Sequence, residues 1–297
     1  MIEERFPGHP YLPYLLVFPS LAVIVIFLIY PFAESVWGSF YITSFFGNKK
    51  VFVGLENYIE LFRSPDYLQS VVVTLYFSAF VVVVGLAASL GIALLLNQRI
   101  GGLGLYQILL VWTYSISPAV AGVIWALLFA PATGLVPWLA GLLVPGYTLN
   151  WMTNGPLALF VVSLAATWKM LGYNIVFFLA GLQNIPEELI DAARVDGAGP
   201  WLSFRYITLP MLSPTTTFLL FMNMLYAFFQ VFGLIDIMTQ GGPGDATNVL
   251  VYNLYRDAFI HLDSGRANAQ SVIIFIVIAI AAMLQLRVAT RKAVYAR

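Results

Sequence analysis

The chain has 297 residues, no net charge at neutral pH and no cysteine. It is 61% hydrophobic and 9% charged, with a mean hydropathy of +0.88. That composition excludes a soluble globular domain, because too little polar surface remains to face water, and it makes the bilayer the solvent. Balanced charge excludes nucleic acid as a partner, since binding its backbone needs a surplus of Lys and Arg. The absence of cysteine excludes disulfides, thiolate chemistry and sulfur-ligated metals.

A spanning helix needs about 20 predominantly apolar residues. Six stretches qualify, at 13–34, 70–96, 105–130, 156–183, 212–236 and 267–287. They are too long and too evenly apolar for barrel strands, which are short and alternate in polarity, so the expected fold class is an all-α membrane protein with six transmembrane helices. The first stretch is bracketed by Pro13 and Pro31 and has no convincing small-residue cleavage site after it; it reads as a retained helix, not a signal peptide.

Six spans put both termini on one side of the membrane. That face carries Arg5, Arg99, Arg194, Arg205, Arg287, Arg291, Lys292 and Arg297. The opposite loops, longer in total, carry Lys49, Lys50, Arg63, Arg256 and Arg266. The positive-inside rule therefore predicts cytoplasmic termini and a cytoplasmic loop at 184–211.

The outward loops, 35–69, 131–155 and 237–266, are rich in Gly, Pro, Asn and aromatic residues. Trp37, Phe40, Tyr41, Phe45, Phe46, Trp138 and Trp151 are expected as anchors at the membrane–water boundary. No tandem repeat and no second domain is visible, so 1–297 reads as one domain.

The loop at 185–210 concentrates charge that the rest of the chain lacks: Glu187, Glu188, Asp191 and Asp196 are four of the fourteen acids. Pro186 suits a first helical position, Glu187 and Glu188 lie at the positive end of the helix, Arg194 lies near its negative end, and Gly197 suits a left-handed cap. A helix over 186–195 is predicted, with Leu189, Ala192 and Ala193 on one face. A second helix is predicted from Pro200 to near Pro210, with Trp201, Phe204 and Ile207 along one side. The plain alternative is an ordinary capped connector in which Asp191 and Arg194 form a weak i,i+3 pair. A charged helix–turn–helix outside the bilayer is better suited to meeting a soluble partner.

Ionisable and amide groups inside spans are costly and usually face a bundle interior or a water-filled path. Lys169 lies midway along the fourth stretch with Asn174 five residues on; the fifth carries Asn223, Tyr226, Gln230 and Asp236. In a straight helix Asn223, Tyr226 and Gln230 share a face, so these six residues are the candidate lining of a solute path. The competing reading of Lys169 is an ion pair for helix packing or gating, with Asp236 or with an acid of a partner subunit.

No enzyme constellation is present. There is no G-x-x-x-x-G-K-[ST] phosphate loop for ATP. His9 and His261 lie on opposite sides of the membrane in the expected topology, so they cannot share a metal. Asp257 and Asp263 flank His261 in an outward loop, where a surface role is expected.

In the loop, Asp191-Ala192-Ala193, Gly197, Ile207 and Leu209-Pro210 resemble the cytoplasmic EAA loop of ABC-importer permeases, with Asp in place of the leading Glu. Pro13-Tyr14-Leu15-Leu16, Val53 to Tyr58, Trp168-Lys169, and Gly241-Gly242-Pro243 with Thr247 are similar to the carbohydrate-uptake, maltose permease-like branch. Ala227-Phe228-Phe229 and the run Tyr252 to Phe259 most resemble the A-type permease subunits of sn-glycerol-3-phosphate importers. The resemblance implies a type I ABC-importer permease fold with a cytoplasmic coupling loop and a place in the bacterial inner membrane. It implies a homologous second permease, an ATPase dimer holding ATP and Mg, and an extracytoplasmic substrate-binding protein. It also implies that Asp191, Ala192, Ala193, Gly197, Ile207, Leu209 and Pro210 meet the ATPase. No cofactor is expected in this chain itself. The expected cargo is sn-glycerol-3-phosphate or a glycerophosphodiester, with a neutral sugar or oligosaccharide as the alternative. An ion-coupled secondary transporter is a rival class, but it predicts midspan carboxylates and inverted repeats that the chain does not display.

Overall fold

A computed structural model describes residues 11–43, 50–98, 103–143 and 150–294; Arg5, His9, Phe45, Phe46, Lys49, Arg99 and Arg297 lie outside the described residues. Four helices are long and apolar enough to cross a bilayer: Tyr14–Gly38, Pro65–Leu96, Gly155–Gln183 and Ser264–Arg287. Two bent pairs, Ile108–Ser115 with Pro118–Leu128 and Pro200–Met211 with Ser213–Gln230, bring the number up to six. The third expected stretch is therefore bent within itself, whereas the second bend falls at Leu212, where the helix from Pro200 meets the start of the fifth stretch. The first pair turns through 107° and the second through 64°.

Proline accounts for the sharper bend. Pro118 has no N–H to continue the helical ladder, and it forces Ser117 to extended backbone (φ −65°, ψ 152°). The Ser117 hydroxyl oxygen then accepts from the Val120 N–H at 3.3 Å, so the second half of the pair starts with a side-chain cap.

The chain's contacts fall into two compact units, Met1–Leu61 with Arg256–Ile273, and Phe62–Tyr255 with Ile274–Arg297. In the first, the most apolar window of Tyr14–Gly38 buries none of its residues, as a lipid-facing helix should. Strands Tyr41–Thr43 and Lys50–Phe52 pair antiparallel, with Tyr41 opposite Phe52. Gly54 turns the chain at φ +59°. Asn57, 2% exposed, then donates from Nδ2 to the carbonyl oxygens of Ser39 (2.7 Å) and Tyr41 (3.2 Å), fixing the exit of the span.

The same unit corrects one expectation. Asp257 is not a surface group: it is 4% exposed. Its Oδ1 lies 2.8 Å from His261 Nδ1, and its Oδ2 meets Arg266 Nε at 2.8 Å and Gln270 Nε2. A π-helical turn at Arg256–Ile260 followed by a reversal at Leu262 (φ +56°) brings these donors, four to thirteen residues further on, around one carboxylate. His261 stays half-exposed, with 51% of its side chain open.

In the second unit, the second and fourth spans pack along their lengths. Val73, Phe77 and Val81 meet Val161, Val162, Ala165 and Ala166 in one cluster that also takes in Trp125, Tyr226, Leu234 and Ile235. Ala93 and Leu96 meet Ile175, Phe178, Leu179, Leu212 and Leu219 in another. Trp37 and Trp138 are exposed, as boundary anchors are, but Trp151 is fully buried and donates to the Phe129 carbonyl at 2.7 Å. Its indole N–H is satisfied by the chain and not by the interface, which makes it a core residue.

Without a hydrophobic driving force between helices in lipid, small residues let backbones approach. Gly172 is the extreme case: a Cβ there would lie 2.0 Å from the Leu110 carbonyl oxygen and 2.9 Å from Thr113 Oγ1. Gly172→Ala is expected to cost about 1–3 kcal/mol by overpacking and to lower the yield and melting temperature of the assembled transporter. Gly91→Ala, where a Cβ meets nothing within 4 Å, is the control and leaves both unchanged or raised. Equal melting temperatures for the two variants, read by fluorescence-detected chromatography after heating, would contradict the close approach.

Candidate functional site

The segment between Gly155–Gln183 and Ser213–Leu225 holds two short helices. The first runs Glu187–Val195 and is preceded by Pro186, with Glu187 and Glu188 in its first turn and Arg194 in its last. Its end has the Schellman geometry: the Ala198 N–H reaches the Ala193 carbonyl at 2.8 Å, the Gly197 N–H reaches the Arg194 carbonyl at 3.0 Å, and Gly197 has φ +83°. The left-handed glycine expected from sequence is in place. Asp191 Oδ1 and Arg194 Nη1 pair at 2.9 Å with about two thirds of each side chain exposed, a pair worth no more than about 1 kcal/mol.

The second helix begins at Pro200 and passes through a π turn at Phe204–Thr208 into Leu209–Met211, one residue past the expected stop at Pro210. Across the loop Asp191, Ala192, Gly197 and Pro210 are exposed, while Ala193, Ile207 and Leu209 are half-buried. Leu189 is exposed and Phe204 half-buried beside Trp201, ring centroids 5.7 Å apart. Large apolar side chains also stand free at Val195 (88%), Trp201 (68%), Leu202 (52%) and Tyr206 (74%). Sequence reasoning did not single out Val195, Leu202 or Tyr206. The signal for Tyr206 is Pro210: a proline removes the N–H that Tyr206's carbonyl would need, and the π turn that absorbs this rotates the neighbouring side chains.

The polar groups of the spans form no common stripe. Asn174 and Asn223 are both 0% exposed and pair with each other, Nδ2 of each donating to Oδ1 of the other at 3.0 and 2.7 Å. Asn223 Nδ2 also reaches the Leu219 carbonyl at 2.8 Å. Tyr226 is 2% exposed, and its hydroxyl finds no hydrogen-bond partner among the described residues. Gln230 is exposed. The expected face over 223, 226 and 230 is broken because Tyr226–Gln230 is π-helical, with the Val231 N–H bonded to the Tyr226 carbonyl, and the extra residue in that turn rotates Gln230 away.

Lys169 is 5% exposed. Its ammonium donates to the Tyr114 carbonyl at 3.2 Å and sits 5.2 Å from the Tyr114 ring centroid. The pairing with Asp236 that sequence allowed is not formed; Asp236, half-buried, takes the Tyr252 hydroxyl on Oδ1 at 3.4 Å. Among the described residues no group of three or more His, Cys, Asp or Glu could hold a metal. What this arrangement can do chemically is bind and move: most of the candidate polar groups of the apolar helices are buried or paired within the chain, and a pair of short helices is exposed.

Comparison with known proteins agrees with that class. The family model for the inner membrane component of binding-protein-dependent transport systems matches residues 103–293. The chain is 45% identical to the sn-glycerol-3-phosphate transport system permease protein UgpA of Yersinia pestis bv. Antiqua, covering 96% of each chain. It is 44% identical to the protein of that name in Pectobacterium atrosepticum, with the same coverage. A crystal structure of a bacterial alginate ABC transporter, in complex with an alginate pentasaccharide-bound periplasmic protein, contains a chain that superimposes with a TM-score of 0.81 at 20% identity, covering 95% of this chain and 94% of that one. The chain belongs to the family of inner membrane components of binding-protein-dependent transport systems. It is a multi-pass, non-catalytic permease subunit of an ABC importer, in which ATP hydrolysis belongs to a separate subunit.

The reciprocal amide pair is open to a direct check. Removing one partner leaves a buried amide half-satisfied, at about 1–3 kcal/mol, so Asn174→Ala and Asn223→Ala should each lower the melting temperature of the purified transporter. The double variant should lose clearly less than the two losses added together. Additive losses would show that the two amides do not depend on each other.

Proposed function

We propose that this chain forms half of a translocation channel that imports sn-glycerol-3-phosphate or a glycerophosphodiester, with a homologous second permease as the other half. An extracytoplasmic binding protein delivers the solute, and an ATPase dimer holding ATP and Mg docks on the 185–210 loop. Both termini and that loop lie in the cytoplasm. The observation that carries the reading is the loop itself: its first helix ends in a Schellman motif while the large side chains of Val195, Trp201 and Tyr206 are exposed. A rigid element with unpartnered apolar side chains suits transmission of a push.

Coupling is then mechanical. Closure of the ATPase dimer on ATP moves the two short helices as a lever, and the spans switch between outward-facing and inward-facing access. The free energy comes from nucleotide bound elsewhere, so this chain transmits it without supplying it. Asp191, Ala192, Ala193, Gly197, Ile207, Leu209 and Pro210 are the docking residues. Within the spans, Gln230, exposed, and Asp236, half-buried, face the path; Asn174, Asn223 and Tyr226 hold its wall from behind. The cargo is inferred from the names of the relatives at 42–45% identity. A phosphate in transit needs hydrogen-bonding groups, because an unpaired anion in a dry path costs at least several kcal/mol.

Two outcomes are expected of the loop. Gly197→Glu forces a side chain onto φ +83°, at about 1 kcal/mol or more, and places a charge at the docking surface; co-purification of the ATPase falls while the spans stay inserted. Asp191→Ala lowers ATPase association or substrate-stimulated hydrolysis, and Asp191→Glu retains both. Wild-type co-purification and uptake in Gly197→Glu would remove the docking assignment. The cargo is tested separately, by uptake into proteoliposomes holding the whole complex with its cognate receptor. sn-Glycerol-3-phosphate or a glycerophosphodiester should be taken up. Transport of a disaccharide without either would overturn the cargo and leave the permease assignment standing.

A further inference from the structure

The break in the third span leaves a backbone group without its ordinary partner. In a helix the carbonyl of residue i bonds the N–H of residue i+4. For Tyr114 that residue is Pro118, which has no N–H. The helix stops at Ser115 and a new one starts at Pro118. The freed oxygen faces the buried Lys169 and needs a protein donor there, and each such group left open inside a membrane is costly. Among the described residues its donor is the ammonium of Lys169, which reaches it at 3.2 Å from the fourth span.

Three further features make this a fitted site. The end of a helix carries partial negative charge, so a cation there is favoured. The ammonium lies 5.2 Å from the Tyr114 ring centroid, where the ring face attracts a cation. Tyr173, one helical turn beyond Lys169, packs its ring 4.9 Å from that of Tyr114. Among the described residues no carboxylate pairs with Lys169, so its charge is held by the helix end and the ring.

We propose that Lys169 is a positioning residue: its ammonium replaces the N–H that Pro118 lacks and holds the two halves of the third span at their bend, independently of any charge on the solute. The Ser117 hydroxyl does the matching task for the other half, accepting from Val120. The fourth span thereby carries the cation that sets the third span's shape. This rests on the permease reading for its transport readout alone.

The test uses the whole complex and a chain that has no native cysteine. Ser115→Cys, at an exposed position in the break, reports opening by its rate of maleimide labelling. Lys169→Met in that background should raise the labelling rate and lower maximal uptake by about tenfold, the scale of one lost charge-assisted bond, with the half-saturation concentration unchanged. Lys169→Arg, which keeps a charged donor, should restore part of both. Adding Pro118→Ala to Lys169→Met supplies Tyr114 with a backbone N–H and should return labelling towards the parent rate. If Pro118→Ala by itself stops uptake, the labelling comparison decides alone. Labelling in the double variant as fast as in Lys169→Met, or a Lys169→Met complex that labels like the parent, would overturn the proposal. A change confined to half-saturation would do so as well, and would place the ammonium on the solute. The labelling arms need no transport, so they separate failure of this proposal from failure of the assigned activity.

Discussion

In the bilayer a backbone N–H or C=O cannot turn to water, and every departure from helix therefore needs a substitute partner. Much of this chain follows from how it meets that demand at proline. Pro31 follows a π-helical turn by two residues, at Val25–Ile29; the wider turn passes the ladder around the missing donor without ending the helix, and Pro210, in the loop, follows the π turn at Phe204–Thr208 in the same way. At Pro118 the helix stops, and side chains close both raw ends. The same demand explains where polar side chains go. Ser70, Thr74 and Ser78 donate to carbonyls one turn back in the second span, and Thr74 and Ser70 in turn receive the Leu250 N–H and the Asn253 amide.

This use of polarity weakens the usual inference from an intramembrane polar group to a solute path. Asn174 and Asn223 are buried against each other, and what remains is one N–H and one lone pair on Asn174 and one lone pair on Asn223. A residue that lines a path must keep a free donor or acceptor on an open face, and of the candidates Gln230 meets that condition best.

Outside the apolar segments the logic reverses. The first of the 185–210 helices closes its end with its own Schellman bonds, both follow or begin at a proline, and their side-chain contacts stay within the loop, between Asp191 and Arg194 and between Trp201 and Phe204. Asp257 shows the opposite arrangement, one carboxylate drawing in His261, Arg266 and Gln270 to organise the start of the helix at Ser264. A locally closed element is free to move as a body; a carboxylate with three partners spread over the next thirteen residues fixes the chain that surrounds it.

Composition and apolar run length determined the solvent, the helical class and the approximate places of the spans, because a bilayer of given thickness accepts few alternatives. The spacing of Pro186, Arg194, Gly197 and Pro200 determined the loop helices and the left-handed cap, because helix ends are set by residues within one turn. Tertiary structure decided what depends on contacts between distant segments. It gave Lys169 a carbonyl 55 residues away in place of Asp236, closed Asn174 onto Asn223, buried Trp151 and Asp257, and turned Gln230 off its expected face through a π turn. Helical periodicity assumes an unbroken ladder and says nothing of a side chain's partner in another helix, so those outcomes are fixed by packing alone.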